Sequence, residues 1–415
     1  MSRTGSNRGG KVNSKAKKSY IYLDYTMLFL LAFLVGFGLL MIYSSGTYSA
    51  IRYYSDANYF LKRQLVAVAL GVLAMIFFFF VDFGRFSDRQ LCVISWIAYG
   101  IGCIMMFLVV FIGRTVNGAT RWIYIGSLSI QPVEIMKIAV IIWSAYFLYA
   151  IRDSLSYKVI FGAKEYKNSR KKLKKIVMIA VYFIFSAGIP FFLAYVITSN
   201  LSSAIILVGI SVVMFFVAYP GYKLLLSIAA LGVGGGGIWL SQKISQLKNS
   251  GADSFRGSRL LVWLNPENYS QGDGYQTVQA LYAIGSGGIF GKGLGKSLQK
   301  MGSVPEAQND MIFSIICEEL GLFGALSLMI VFIVFLFRIY KAGQNSLNLF
   351  GKYICAGVFA HIAIQVILNI AVVTNVIPNT GVSLPFISYG GTSVLFLFIE
   401  IGMVLGIAKR NEMED

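Results

Sequence analysis

Long apolar stretches of this chain carry ionisable residues whose types and spacing invite chemistry. In Gln131-Pro132-Val133-Glu134-Ile135-Met136-Lys137, Glu134 and Lys137 are three apart and share one helical face. A charge inside a membrane span costs about 2.5–3.5 kcal/mol, so each needs a reason. Either the pair neutralises itself and tolerates burial, or it forms the polar floor of an external cavity. In the second case Lys137 supplies positive charge and Glu134 fixes it. Further along, Val304-Pro305-Glu306-Ala307-Gln308-Asn309-Asp310 leads into another apolar run. Asp310 suits the capping of that helix's N-terminus. It also has no base beside it in sequence, and Lys292, Lys296 and Lys300 upstream are suited to phosphate. Glu318, Glu319 and Glu400 lie deeper and read as structural partners for polar groups on other helices.

Other motifs narrow the chemistry. His361 is the only histidine, which excludes a multi-histidine metal site. Cys92, Cys103, Cys317 and Cys355 all fall in apolar runs and read as small core residues. There is no G-x-x-x-x-G-K-[ST] phosphate loop and no zinc signature. The glycines at 285, 287, 288, 291, 293 and 295 suit a flexible loop whose amides meet an anion. Gly118 to Trp122, Pro378 to Gly381 and Leu384 to Ser393 are irregular segments bordering spans, and such backbone needs protein or a water-filled cavity beside it. Ser388 to Ser393 reads equally as a small-residue helix contact or as cavity lining.

These residues must be positioned by membrane helices. Of 415 residues, 57% are hydrophobic and 13% charged, with a mean hydropathy of +0.70, whereas soluble domains average about 25% charged. Runs of about 18 or more apolar residues mark spans. Ten are expected, near 25–44, 63–81, 91–112, 132–151, 176–198, 202–219, 222–241, 311–337, 353–374 and 386–408. The polar break at 198–203 separates spans five and six, and Gly234 to Gly237 weaken span seven. The first run follows a polar tail of about twenty residues and does not read as a cleaved signal. With both termini cytoplasmic, 23 lysines and arginines fall inside and 12 outside, Lys137 lying within a span. The net charge of +18 then answers to anionic lipid rather than nucleic acid. Residues 242–310 form a long external loop, expected to fold as a cap with amphipathic helices. The fold class is all-α and polytopic: a basic tail at 1–20, a transmembrane domain at 21–410 and a short tail at 411–415.

Six pieces in order resemble the SEDS family (shape, elongation, division and sporulation). They are Tyr59-Phe60-Leu61-Lys62-Arg63-Gln64, Gly118 to Trp122, Gln131-Pro132 with Glu134 and Lys137, Ala283 to Gly288, Pro305-Glu306 with Asp310, and Leu384 to Gly391. The resemblance runs from about Leu23 to Lys409, and the basic tail and Lys-Arg-Gln segment look more like the FtsW and SpoVE branch than RodA. Three departures stand out. Gln308-Asn309 replaces a His-Thr pair, Val133 a usual serine, and Ser199-Asn200-Leu201-Ser202 a Pro-Asp-Leu-Gly type segment.

The resemblance implies a peptidoglycan glycosyltransferase that polymerises lipid II at the outer face of the bacterial cytoplasmic membrane, in division or sporulation. Its implied partners are a class B penicillin-binding protein, other divisome or sporulation membrane proteins, and membrane lipids. Asp310 matches the family's essential aspartate and would activate or orient the attacking hydroxyl. Arg63, Arg121, Lys137, Lys292, Lys296 and Lys300 are candidates to meet the pyrophosphate leaving group. Glu134, Glu306 and Ser388 complete the expected substrate site, and Trp122 packs on sugar or isoprenoid or sits in the interfacial belt. No tightly bound cofactor is expected, although the reaction admits a divalent cation, magnesium or manganese. The rival readings are a lipid II flippase and a non-catalytic scaffold for the penicillin-binding protein. A flippase needs matching access from both faces, and a scaffold gives Asp310 no task.

Overall fold

The computed structural model describes residues 23–83, 85–116, 119–125, 128–152, 169–219, 255–272 and 274–411. Among these, nine helices are long and apolar enough to cross a membrane. They are α1 (Tyr25–Tyr54), α2 (Tyr59–Phe80), α3 (Asp88–Ile112), α4 (Pro132–Ala150), α5 (Ser169–Phe183, running on to Ile197), α6 (Leu201–Ala218), α9 (Ile312–Gln344), α10 (Leu349–Val373) and α11 (Thr392–Asn411). The helices α7 (Phe255–Leu264) and α8 (Tyr275–Gly287) belong to the expected external cap. The protein is a multi-pass helical membrane protein. The expected span at 222–241 lies outside the described residues, as do the tails at 1–20 and 412–415.

Local chemistry sets the helix ends. Asp24 accepts from the Met27 amide at 2.9 Å and caps α1, and Arg338 on α9 grips its other oxygen at 2.7 Å. Ser87 and Gln90 form a reciprocal capping box on α3. Pro132 opens α4, where its missing N–H costs nothing. Spans five and six are separate helices, as the polar break suggests. Asn200 caps α6 by accepting from the Ser203 amide at 3.1 Å, a task Asn performs as well as Asp. That cap accounts for the absence of an acidic residue at 200.

Within the fifth span, Pro190 cannot donate backward, and π-turns flank it at Ile184–Gly188 and Leu193–Ile197. The carbonyls freed there are filled from neighbouring helices: Tyr99 Oη donates to Phe185 O at 2.6 Å, and Ser211 Oγ to Ser186 O at 2.8 Å. A backbone group without water must find such a partner. Helices α4 and α11 are the most enclosed spans and α2 the most lipid-facing.

Helix α9 breaks at Gly321, whose φ of 68° and ψ of −169° leave the helical region. Segment 288–293 of the cap loop enters the break. The Lys292 and Gly293 amides donate to the Glu318 and Glu319 carbonyls at 2.9 Å, and the Leu322 and Phe323 amides donate to Gly288 and Ile289 at 3.0 Å. A Cβ on Gly321 would stand 2.3 Å from the Gly291 nitrogen, so only glycine fits. The 23 residues after the break, 322–344, rise about 35 Å and suffice to span the bilayer.

The segment 113–131 departs from an all-helical reading. Its strands Arg114–Val116 (β1), Ala119–Ile125 (β2) and Leu128–Ile130 (β3) form a small antiparallel sheet in the order β1-β2-β3.

Candidate functional site

The start of α4 brings Glu134 and Lys137 together as the spacing requires. Lys137 Nζ lies 2.8 Å from Glu134 Oε1, and both side chains are buried. Lys137 also donates to Gln365 Oε1 on α10 at 3.3 Å. Gln365 Nε2 in turn donates to the Ser383 carbonyl at 3.0 Å, so the pair is tied to the irregular segment ahead of α11.

Asp310 ends a tight turn. Glu306, at φ 50°, accepts the Asn309 amide on its carbonyl at 2.8 Å and the Asn309 side chain on its carboxylate at 3.0 Å. The Tyr389 amide donates to Gln308 O at 2.9 Å, and Asn369 Nδ2 donates to Asp310 O at 2.8 Å. The turn is thereby stitched to the 384–391 segment and to α10. Asp310 does not cap α9: the residue before the helix is Met311, and no side chain caps it. Instead Asp310 Oδ1 is buried without a hydrogen-bond partner, and Oδ2 faces Gly381, 3.6 Å from where a Cβ would stand. Burial, reinforced by Glu306, pushes the carboxyl up to about 7; its own amide, Arg259 and the Met311 amide pull the other way.

Arg63 is exposed near the N-terminal end of α2, with its guanidinium 4.8 Å from the centre of the Tyr59 ring. Its neighbour Gln64 accepts from the Gly390 amide at 3.4 Å, placing both beside the same segment. Arg121 on β2 donates to the carbonyls of Ser199 at 2.6 Å and Thr198 at 3.3 Å, joining the sheet to the turn between α5 and α6. From that turn, Ser202 Oγ reaches Thr380 O at 2.6 Å, one residue from Gly381. Trp122 is half-buried on β2, and Glu306 is exposed.

Three of the expected site residues have protein partners in this structure. Lys292 and Lys300 are committed to carboxylates rather than presented to phosphate. Lys292 Nζ lies 2.7 Å from Glu318 Oε1, and Lys300 Nζ 2.8 Å from Glu319 Oε1 and 2.9 Å from Ser44 Oγ. Ser297 Oγ also donates to Glu318. Glu318 and Glu319 are thus the structural partners expected of them, and of the three lysines only Lys296 is exposed. Ser388 is buried and its hydroxyl accepts the Leu384 amide at 2.8 Å, so it holds a turn rather than lining a cavity. Sequence reading missed Gln365 and Asn369; two amides one helical turn apart in an apolar run were the available signal.

Among the described residues, nine membrane-competent helices accompany a buried Lys137–Glu134 ion pair and a half-buried Asp310 whose Oδ1 has no hydrogen-bond partner, the arrangement of a membrane protein with a polar site. A sequence model of the FtsW/RodA/SpoVE family, described as cell cycle protein, matches residues 25–413, and the chain belongs to that family. It is 34% identical to stage V sporulation protein E of Bacillus subtilis over 93% of this chain and 97% of that one. It is 31% identical to a probable peptidoglycan glycosyltransferase FtsW of Geobacter metallireducens over 96% and 97%. Among solved structures, one described as a peptidoglycan synthase complex coordinating polymerization and crosslinking superposes with a TM-score of 0.70, at 22% identity over 94% of this chain and 99% of that one. The rod shape determining protein RodA of Thermus thermophilus gives 0.60, at 23% identity over 94% and 98%. These two establish the shared fold.

Proposed function

We propose that this chain is a peptidoglycan glycosyltransferase that polymerises lipid II, with Asp310 as the group that activates the acceptor. The observation that carries the reading is the Asp310 carboxyl: one oxygen enclosed and unpartnered, the acid pushed up to about 7. A base works best when its pKa lies near the operating pH. The acceptor's 4-hydroxyl forms a bond to the donor's anomeric carbon and its proton passes to Asp310. The bond from that carbon to the lipid pyrophosphate breaks, and the pyrophosphate leaves with the electron pair. Arg63, Arg121 and Lys296 are the cations proposed to meet it, with the Lys137–Glu134 pair as the floor.

The described residues do not offer a ready metal centre: no group of three or more histidine, cysteine, aspartate or glutamate side chains is placed to hold an ion, and no step of the reaction is routed through one.

The protein is proposed to work with a class B penicillin-binding protein, in division or sporulation. The experiment that tests the function follows labelled lipid II with the purified protein, alone and with that partner. Glycan strands are expected; lipid II translocation across vesicles without strand formation would favour a flippase.

The active face is proposed to be external, with both termini and 152–175 cytoplasmic, on the 23-to-12 split of basic residues. Single cysteines at Ser169 and Ser270 in a cysteine-free background, treated on intact cells with an impermeant thiol reagent, check this. Labelling at 270 alone is expected, and labelling at 169 alone reverses the orientation.

A further inference from the structure

Gln365 and Asn369 stand one turn apart on α10, so their side chains leave the same face of the helix. They are only 3% and 0% exposed, and the reaction as derived uses neither. Asn369 Nδ2 donates to two carbonyls on two different segments, Asp310 O at 2.8 Å and Val382 O at 2.6 Å. A side-chain amide nitrogen has two hydrogens to give, and Asn369 gives both here. Its orientation is fixed by those acceptors, because a flipped amide would set oxygen against oxygen. One turn earlier, Gln365 Nε2 donates to Ser383 O at 3.0 Å and to Ser383 Oγ at 3.3 Å, and its Oε1 accepts from Lys137 at 3.3 Å. Val382 and Ser383 are adjacent, so an unbroken series of contacts joins Glu134, Lys137, Gln365, the 382–383 backbone, Asn369 and Asp310.

We infer that Gln365 and Asn369 are positioning residues, which hold the Asp310 carboxyl at a set separation from the Lys137–Glu134 floor. The inference rests on the reading of Asp310 as the activating group. Neither residue touches the reacting atoms; each acts through main-chain carbonyls that no substitution at 310, 382 or 383 can remove. Position 369 requires a short double donor. Leucine matches the shape with no hydrogen to give, and serine offers one. Reaction geometry is unforgiving: a displacement of about 1 Å costs on the order of 10²-fold in rate. The carboxyl's surroundings respond as well. Charged neighbours on the elements around it are Glu306, from its own turn, and Arg259, from α7. Loosening the turn admits water to the enclosed oxygen and lowers the acid from its raised position.

The test uses the full chain in lipid nanodiscs and measures polymerisation of labelled lipid II between pH 5.5 and 9. It compares native protein with Asn369→Leu, Asn369→Ser, Gln365→Met and Asp310→Asn. For Asn369→Leu we expect kcat per folded molecule to fall on the order of 10²-fold with little change in KM, and Asn369→Ser to fall between it and native. The acidic limb of the rate profile, near pH 7 in the native protein, should move to lower pH in both. A purely structural role lowers yield and melting temperature but leaves kcat, KM and the limb of the folded fraction unchanged. That result in any variant at 369 that folds overturns the inference, as does failure of all three amide variants to fold. If Asp310→Asn polymerises like native protein, it is the reading of Asp310 that fails. If Asp310→Asn is inactive while folded Asn369→Ser keeps native kcat and limb, only the positioning role falls.

Discussion

Replacing Asp310 by asparagine separates catalysis from stability in opposite directions. The native carboxyl titrates near 7 in the folded protein against an ordinary 3.8. A raised folded pKa means that the folded state holds this proton more tightly. The stabilisation from this group is therefore whole below about pH 4 and is lost as pH rises through 7. Roughly three pH units at about 1.36 kcal/mol each cap that loss at about 4 kcal/mol. Asp310 is only half-buried as a residue, so solvent trims the figure to on the order of 2 kcal/mol. Asparagine does not ionise and escapes the loss. Asp310→Asn should melt several degrees above native protein at pH 8, with the gap shrinking steadily toward pH 4. Its polymerisation should fall by about 10²–10⁴-fold, the usual worth of a positioned base. Thermal unfolding in detergent across that pH range, run beside a labelled lipid II assay, reads both. Native activity in the asparagine variant would refute the base assignment. A lower melting temperature at pH 8 would show that the carboxylate makes a bond which outweighs its burial.

The charged floor should be asymmetric: Lys137→Ala is expected to reduce polymerisation more than Glu134→Ala, because it strands a buried carboxylate and removes the positive charge. Glu134→Ala failing to fold while Lys137→Ala stays fully active would make the pair purely structural. Gly321→Ala should destabilise by more than about 2 kcal/mol, seen as a lower melting temperature, since its Cβ meets the Gly291 nitrogen at 2.3 Å. Asn200→Ala should cost about 1 kcal/mol and Asn200→Asp almost nothing; equal losses in melting temperature would remove the capping account.

Legibility from sequence followed charge and periodicity. Hydrophobic runs placed nine spans, and the three-residue spacing of Glu134 and Lys137 gave their ion pair because both partners sit on one turn. The ion pairs of Lys292 and Lys300 were not legible because their carboxylates come 26 and 19 residues later, on a helix against which the loop folds back. Local spacing cannot report such a pairing. Gln365 and Asn369 escaped notice because an uncharged amide barely disturbs an apolar pattern, although its hydrogen bonds decide where three segments meet. The break at Gly321 was equally silent: one glycine in a helical run is common, and only the loop threaded beside it demands a left-handed residue.

That break has a bearing on biogenesis. The nascent chain carries Lys292 and Lys300 ahead of Glu318 and Glu319, and on the proposed orientation the lysines reach the outer side first. Until those lysines dock, two bare carboxylates resist entry into lipid, which favours a membrane boundary near Leu322. Docking then trades that resistance for two ion pairs and clamps the loop to the helix.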